Sequence, residues 1–180
     1  FAQPPQTVTP KTQQSQMTTG SFIGSNYSQI DQVGLGSDAN VFQEGTENAS
    51  YIDQNGTNAA VGFRNLALVY QSGNVGDPGV AFSALENYAD LTQDGEANVM
   101  GAYQLGDTNV AWGLQTGDGN FAVMEQGAAS ARQAQDNYAD ISQNGNGNDA
   151  EIQQRYDNNT ATAMQDNSAG GLGNRSYQEQ

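Results

Sequence analysis

Polar amides and small or aliphatic residues recur in a fixed order along most of this 180-residue chain. In a typical unit, Asn87 is followed by the small Ala89, the aliphatic Leu91 and then Gln93. These positions lie on one face of a strand, because successive strand side chains point to opposite sides. Each unit therefore predicts one β-strand with a narrow apolar inner face bounded by amides.

The spacing of these units forms an internal repeat, because consecutive Asn residues are mostly 11 positions apart. Ser37 stands in the same phase as the Asn residues. The predicted ladder Asn residues are Asn26, Asn48, Asn65, Asn87, Asn98, Asn109, Asn120, Asn137, Asn148 and Asn159. The predicted ladder Gln residues are Gln32, Gln43, Gln54, Gln71, Gln93, Gln104, Gln115, Gln126, Gln143, Gln154 and Gln165. A face shared by every unit is typical of stacked repeats.

A glycine stands two residues after most of these Gln residues, and a glycine at that place predicts a turn with positive φ. Each unit is thus interpreted as about seven strand residues and about four turn residues. The predicted turn glycines are Gly34, Gly45, Gly56, Gly73, Gly95, Gly106, Gly117 and Gly145.

Equivalent residues superpose when the copies stack parallel and in register. The repeat therefore predicts an all-β, amyloid-like cross-β fold, a parallel β-solenoid with about 22 residues per rung and roughly six to seven rungs. Stacked amides about 4.8 Å apart can donate to one neighbour and accept from the other, which satisfies inward Gln side chains. Intervals of 17 residues at 48–65 and 120–137 interrupt the repeat, each as a long loop or an extra strand.

Three segments follow from this pattern. Residues 1–25 hold three of the four prolines and the only lysine, and they predict a flexible N-terminal arm. Residues 26–169 are the β-solenoid repeats, and residues 170–180 are a C-terminal tail or partial rung. Pro78 lies at an inward position of the degenerate unit 76–82, which predicts a weak or bulged rung there.

Charge and composition exclude several classes of function. The net charge is −15, which disfavours nucleic-acid binding. Because the chain has no His and no Cys, it has no His-based catalytic triad, no thiolate metal site and no disulfide. No apolar run is long enough for a transmembrane segment. We expect no enzyme activity, no metal and no cofactor.

The order Gln-x-Gly-x-x-Asn-x-Ala-x-x-x-Gln, found at 104–115 and again at 115–126, resembles the curlin repeat of bacterial curli fibres. The likeness covers residues 26–167. It implies a secreted, extracellular fibre subunit of the biofilm matrix that functions in cell adhesion. It also implies a nucleator subunit and an outer-membrane secretion pore as partners, with residues 1–25 in the place of the export segment.

Both ends of such a stack carry strand edges without an evident cap, which predicts head-to-tail assembly into a filament. Two alternatives remain open. The chain could be the minor nucleator subunit, with Arg64 and Arg155 interrupting the ladder, or a monomeric β-solenoid adhesin that binds a surface or a polysaccharide.

Aromatic residues fall mostly at outward positions, either through β-propensity or because they bundle filaments sideways. The candidate lateral contacts are Tyr103, Trp112 and Phe121. The acidic residues lie in turns and on outward sites, where they would keep the chain soluble and slow its assembly. The alternative is divalent-cation binding between turn carboxylates such as Asp107 and Asp118.

Overall fold

A computed structural model describes residues 26–33, 37–45, 47–56, 64–72, 86–127, 134–167 and 173–180. These residues form strands and turns. Within these ranges, no helix is long and apolar enough to cross a membrane. The strands are β1 (Tyr27–Val33), β2 (Asp38–Gln43), β3 (Ala49–Asn55), β4 (Leu66–Ser72), β5 (Tyr88–Asp94), β6 (Val99–Asp107), β7 (Val110–Thr116), β8 (Phe121–Gln126), β9 (Ala134–Gln135), β10 (Tyr138–Gly145), β11 (Asp149–Gln154), β12 (Thr160–Asn167) and β13 (Arg175–Glu179).

The strands form two parallel sheets. The six-stranded sheet has the order β1-β3-β5-β7-β10-β12, and the seven-stranded sheet has β13-β11-β8-β6-β4-β2 with β9 beside β6. Apart from β9, consecutive strands alternate between the sheets, so one rung takes one strand from each. The predicted all-β, parallel stacked fold is confirmed.

Pairing is in register, with ladder Gln facing ladder Gln in every adjacent pair from Gln32↔Gln54 to Gln126↔Gln154. The step between paired Gln residues is 22 in some rungs, as in Gln93 and Gln115, but 28, 33 or 39 in others. Most of the additional residues lie in 57–63, 73–85 and 128–133. These ranges, which include Pro78, and residues 1–25 are outside the described residues.

The core is a thin apolar layer between the two sheets. Its largest fully buried side chains include Ile52, Leu91 and Ile141 from one sheet and Met124 and Ile152 from the other. The inward Ala residues next to these side chains keep the two sheets close together. Burial alternates with exposure along the strands, as the period of two predicts.

One rung fills its core differently from the rest. Met100 occupies an inward position that is Ala or Ser in most rungs, and a Cβ placed on Gly113 would overlap the Met100 Sδ. The missing side chain at Gly113 therefore makes room for a long one from the opposite sheet. Both residues are buried, so the layer stays closed at this rung.

Candidate functional site

Two glutamine ladders run along the stack, one in each sheet. In each step, the Gln Nε2 donates to the Oε1 of the next Gln toward the C-terminal end. In the six-stranded sheet the distances lie between 2.6 and 2.9 Å, over Gln32, Gln54, Gln93, Gln115, Gln143 and Gln165. In the seven-stranded sheet they lie between 2.7 and 3.4 Å, over Gln43, Gln71, Gln104, Gln126, Gln154 and Gln180.

Each ladder Gln from Gln43 onward also connects the two sheets. The Nε2 of Gln115 donates to the main-chain oxygen of Val99 at 3.0 Å, and Gln126 donates likewise to Val110 at 2.8 Å. This second bond requires the Nε2 at that place and so fixes the amide orientation. Among the described residues, no buried side-chain nitrogen or oxygen lacks a hydrogen-bond partner.

The asparagine ladders run in the opposite direction. The main-chain N–H of Asn109 donates to the Oδ1 of Asn87 at 3.0 Å, toward the N-terminal end of the stack. The other sheet repeats this bond, with the N–H of Asn120 donating to Asn98 Oδ1 at 3.0 Å. The Nδ2 groups of several of these residues also hold a turn, as when Asn98 donates to the Gly117 oxygen at 2.7 Å.

The turns stack as closely as the strands. The N–H of Gly117 donates to the Asp94 oxygen at 2.9 Å, and a Cβ added to Gly117 would clash with the Gly145 oxygen. Of the predicted turn glycines, Gly45, Gly95, Gly106, Gly117 and Gly145 have positive φ. The prediction of positive φ is wrong for Gly56. Gly34 and Gly73 lie outside the described residues.

A second left-handed position was not predicted from the sequence. In eight units the residue directly before the ladder Asn has φ between 54 and 69°, as in Ala97, Thr108 and Gly119. Six of these residues are not glycine, so composition gives no signal for the position. The backbone turns sharply there, because it must enter the next strand with the Asn side chain facing inward.

Of the two alternatives for residues 170–180, a tail or a partial rung, the structure has the partial rung, although Asn174 and Gln180 were not predicted as its ladder residues. Asn174 and Gln180 have the same six-residue spacing as the other pairs. The N–H of Asn174 donates to Asn148 Oδ1 at 3.1 Å, and Gln154 donates to Gln180 Oε1 at 3.4 Å. In this last unit, β13 pairs with β11 and extends both ladders of the seven-stranded sheet by one rung.

The ends of the stack have complementary chemistry. In the part of the chain that the structure describes, no strand pairs with the outer edges of β1 and β2 or of β12 and β13. Among the described residues, Gln32 and Gln43 accept no side-chain hydrogen bond there, whereas Gln165 and Gln180 use their Nε2 groups only toward main-chain oxygens. In the Gln ladders, the N-terminal end of the stack therefore offers amide acceptors and the C-terminal end offers amide donors.

The candidate lateral contacts do not lie on one face. Trp112 belongs to the six-stranded sheet, whereas Tyr103 and Phe121 belong to the seven-stranded sheet. Tyr103, Trp112 and Phe121 lie in three consecutive units. Because consecutive units alternate between the sheets, Trp112 lies on the opposite side of the molecule from Tyr103 and Phe121. A single apolar patch through Trp112 and Phe121 is therefore excluded, although both side chains are exposed.

Rings on the six-stranded sheet form one continuous row instead. Their centroids are 5.4, 5.7 and 5.4 Å apart along Tyr27, Tyr51, Tyr88 and Trp112. Burial and the adjacent Asp90 carboxylate, which accepts a bond from the Tyr88 hydroxyl, raise the pKa of Tyr88 to about 12. The other sheet has one stacked pair, Phe42 and Tyr70, at 4.9 Å.

Carboxylates also line the six-stranded sheet. Burial raises the pKa of Asp53, and the nearby Asp31, which pairs with it in register, raises it further. Burial alone raises the pKa of Asp140.

The turn carboxylates proposed as a cation site do not meet. The Asp107 main-chain oxygen accepts from Asp136 in the turns that follow the seven-stranded sheet, whereas Asp118 stacks on Asn146 and Glu96 in the turns that follow the other sheet. They lie on opposite edges of the molecule. Among the described residues, no group of three or more carboxylates is placed to hold a metal ion.

Comparison with known proteins gives the chain no relative. No family model, no curated protein and no solved structure matches it. The resemblance to the curlin repeat therefore stays a prediction from the sequence, and the amide ladders with their open edges are the functional site that the geometry supports.

Proposed function

We propose that the chain is the structural subunit of an extracellular functional-amyloid fibre that grows by head-to-tail stacking of its rungs. The observation that carries this proposal is the direction of the two Gln ladders, which leaves donors at one end and acceptors at the other. The role is structural and not catalytic.

In the proposed contact, β1 and β2 of one copy follow β12 and β13 of the copy before it. Gln165 Nε2 would then donate to Gln32 of the next copy, and Gln180 to Gln43, which repeats the bonds within the chain. The Asn159 Oδ1 would accept from the next copy as Asn137 Oδ1 accepts from Asn159. The new contact thus needs no chemistry that the stack does not already use.

The opposite directions of the Asn and Gln ladders favour one polarity of growth. A copy added in reverse would place Gln donors against Gln donors and Asn acceptors against Asn acceptors. Each buried amide group left without a partner costs about 1–3 kcal/mol, so the reverse contact is disfavoured several times over. Such a heterologous contact does not close on itself and therefore gives a filament.

The biological setting comes from the resemblance to the curlin repeat. In this proposal the chain is secreted, forms cell-surface fibres for the biofilm matrix and adhesion, and has itself as its main partner. A nucleator subunit and an outer-membrane secretion pore complete the proposed system. The repeats at 104–115 and 115–126 are the sequence that supports this part.

The two alternatives differ in their support. Arg64 and Arg155, proposed as marks of a nucleator, are exposed and pair with Asp38 and Glu179 beside the ladders. Neither residue interrupts a ladder, so they do not favour a nucleator over a main subunit. A monomeric adhesin would need its strand edges covered by another segment or partner.

Disulfide trapping tests the contact. The chain has no Cys, so the double variant Asp31→Cys with Met164→Cys has only the two introduced thiols. Within one chain β1 and β12 are separated by four strands, about 24 Å, beyond disulfide reach. In the proposed contact residues 31 and 164 are direct neighbours, so fibres should give covalent ladders on non-reducing gels.

The matched control is Val33→Cys with Met164→Cys, which moves one exposed thiol out of register by two residues. We expect it to cross-link far less, and fibre diffraction should show the axial repeat of about 4.8 Å. Equal cross-linking of both variants, or a monomer that stays soluble for days at micromolar concentration, would refute head-to-tail stacking.

A further inference from the structure

The outer faces of the two sheets differ in how their carboxylates are neutralised. The described ion pairs join Arg64 with Asp38, Arg155 with Glu179 and Arg175 with Asp149. All three acidic partners belong to the seven-stranded sheet. The strands of the six-stranded sheet contain no Lys and no Arg. Asp90 and Asp140 on these strands form no ion pair with a described residue. Among the described residues, these strands therefore carry no positive charge of their own.

The same face carries the continuous row of four rings, which spans β1, β3, β5 and β7. At about 4.8 Å per strand the row is on the order of 15 Å long. Trp112, at its end, is 42% exposed. Exposed rings in a row offer π-faces and edges to a ligand that lies along the stack.

A groove of about 420 Å³ opens at the end of this row. Trp112 stands in register between Asp90 and Asp140, so a carboxylate flanks the ring on each side. Thr92 and Ser142 add hydroxyl groups to the groove. Its apolar wall is completed by Leu114, Tyr138 and Met164.

We propose that this face binds an extended arginine-rich peptide segment, with a guanidinium group on the Trp112 ring and Asp90 and Asp140 as its counter-charges. A guanidinium is planar, stacks on aromatic rings and pairs with carboxylates through two parallel bonds. An ammonium group is a compact point charge that cannot use the ring and the carboxylate in the same way. The combination on this face thus fits arginine better than lysine.

This inference goes beyond the proposed assembly and does not depend on it. The face lies along the side of the stack, whereas assembly uses its ends, so a single chain and a fibre both present it. Charge complementarity also argues against a second copy as the occupant, because two such faces would oppose carboxylate with carboxylate.

The test uses the full chain with labelled hexa-arginine and hexa-lysine peptides. Trp112 is the only tryptophan, so its emission reports binding directly, and fluorescence anisotropy of the labelled peptide gives the affinity. We expect hexa-arginine to shift the emission and to bind roughly five-fold more tightly than hexa-lysine. Asp140→Asn and Trp112→Ala should each weaken hexa-arginine binding and reduce the preference.

Controls on the other sheet are Glu125→Gln and Phe121→Ala, the second of which removes an equally exposed ring. Both should leave hexa-arginine binding unchanged. Equal affinities for the two peptides, or equal losses in the controls, would overturn the proposal. A neutral glycan provides a further test. If the glycan shifts the Trp112 emission equally in the wild-type chain and in Asp140→Asn, and hexa-arginine does not bind, the proposal is also overturned.

Discussion

The middle and the C-terminal end of the stack follow one repeat but fill its inner columns differently. In the middle, Leu91, Met124 and Ile141 are fully buried. At the end, Ala163 pairs with Ile141, and Gln178 takes the place of Ile152 and donates to the Thr162 oxygen at 2.8 Å. We therefore expect the middle rungs to contribute most of the stability, whereas the end keeps a smaller, more polar surface.

The largest expected difference concerns the turn glycines. Gly117→Ala puts a Cβ against the Gly145 oxygen at a φ of 105° and should lower the free energy of unfolding by about 4 kcal/mol. The control Gly56→Ala meets nothing closer than 3.5 Å and should cost less than about 1 kcal/mol. Urea unfolding of freshly diluted monomer measures both, and equal losses would mean that close turn stacking does not stabilise the middle.

The next largest effect distinguishes a ladder Gln in the middle of the stack from a ladder Gln at its open end. Gln115→Ala removes the acceptor of the Gln93 Nε2 and the donor to both the Gln143 Oε1 and the Val99 main-chain oxygen, which should cost about 3 kcal/mol. Gln165→Ala, at the open end, should cost about 1 kcal/mol in the monomer. The same end variant should slow seeded elongation strongly, as thioflavin fluorescence would show. A Gln165→Ala chain that elongates normally would contradict the proposed end contact.

A smaller effect on the free energy of unfolding distinguishes backbone strain from side-chain packing in the middle turns. Ala97 and Gly119 occupy equivalent left-handed positions in successive rungs, and a Cβ on Gly119 would meet nothing within 4 Å. Ala97→Gly should therefore stabilise the fold by about 1 kcal/mol, and Gly119→Ala should destabilise it by about the same amount. Thermal unfolding of the pair checks this, and changes of the same sign would show that packing dominates.

The smallest expected effect is the pH dependence at the N-terminal end. Because the pKa of Asp53 is raised from 3.8 in the folded chain, its contribution to stability is fully present below that value and is lost as pH rises through the raised one. The free energy of unfolding should therefore rise as the pH falls from 7 to 4, and Asp53→Asn should make this rise smaller. Glu125→Gln removes one charge from the other sheet and should leave the slope in place.

The sequence predicted the parallel stack because the inward residues recur in the same order in successive units from Asn26 to Gln165. The same six-residue spacing is present in Asn174 and Gln180, so the choice between a tail and a partial rung at 170–180 could have been made from the sequence. The prediction that Trp112 and Phe121 share one face was wrong. A rung of 22 residues implies that consecutive units alternate between the sheets, and this alternation was not applied to the outward residues.

Other features needed the three-dimensional structure. Met100 fills the space that a side chain at Gly113 would occupy in the opposite sheet, and the sequence of neither strand alone predicts this contact. The bond from each Gln to a main-chain oxygen of the opposite sheet depends on the thickness of the core. The left-handed residues before the ladder Asn residues have varied side chains, so their conformation is set by the turn path.

The opposite directions of the two kinds of ladder also decide how the stack behaves electrically as it lengthens. Each Gln amide dipole points toward the C-terminal end, and each Asn amide dipole points toward the N-terminal end. Their fields largely cancel rung by rung, so no macroscopic dipole accumulates as it does along an α-helix. The tips of a fibre of this chain would therefore be nearly free of dipole charge, whereas an α-helix carries about half a charge at each end.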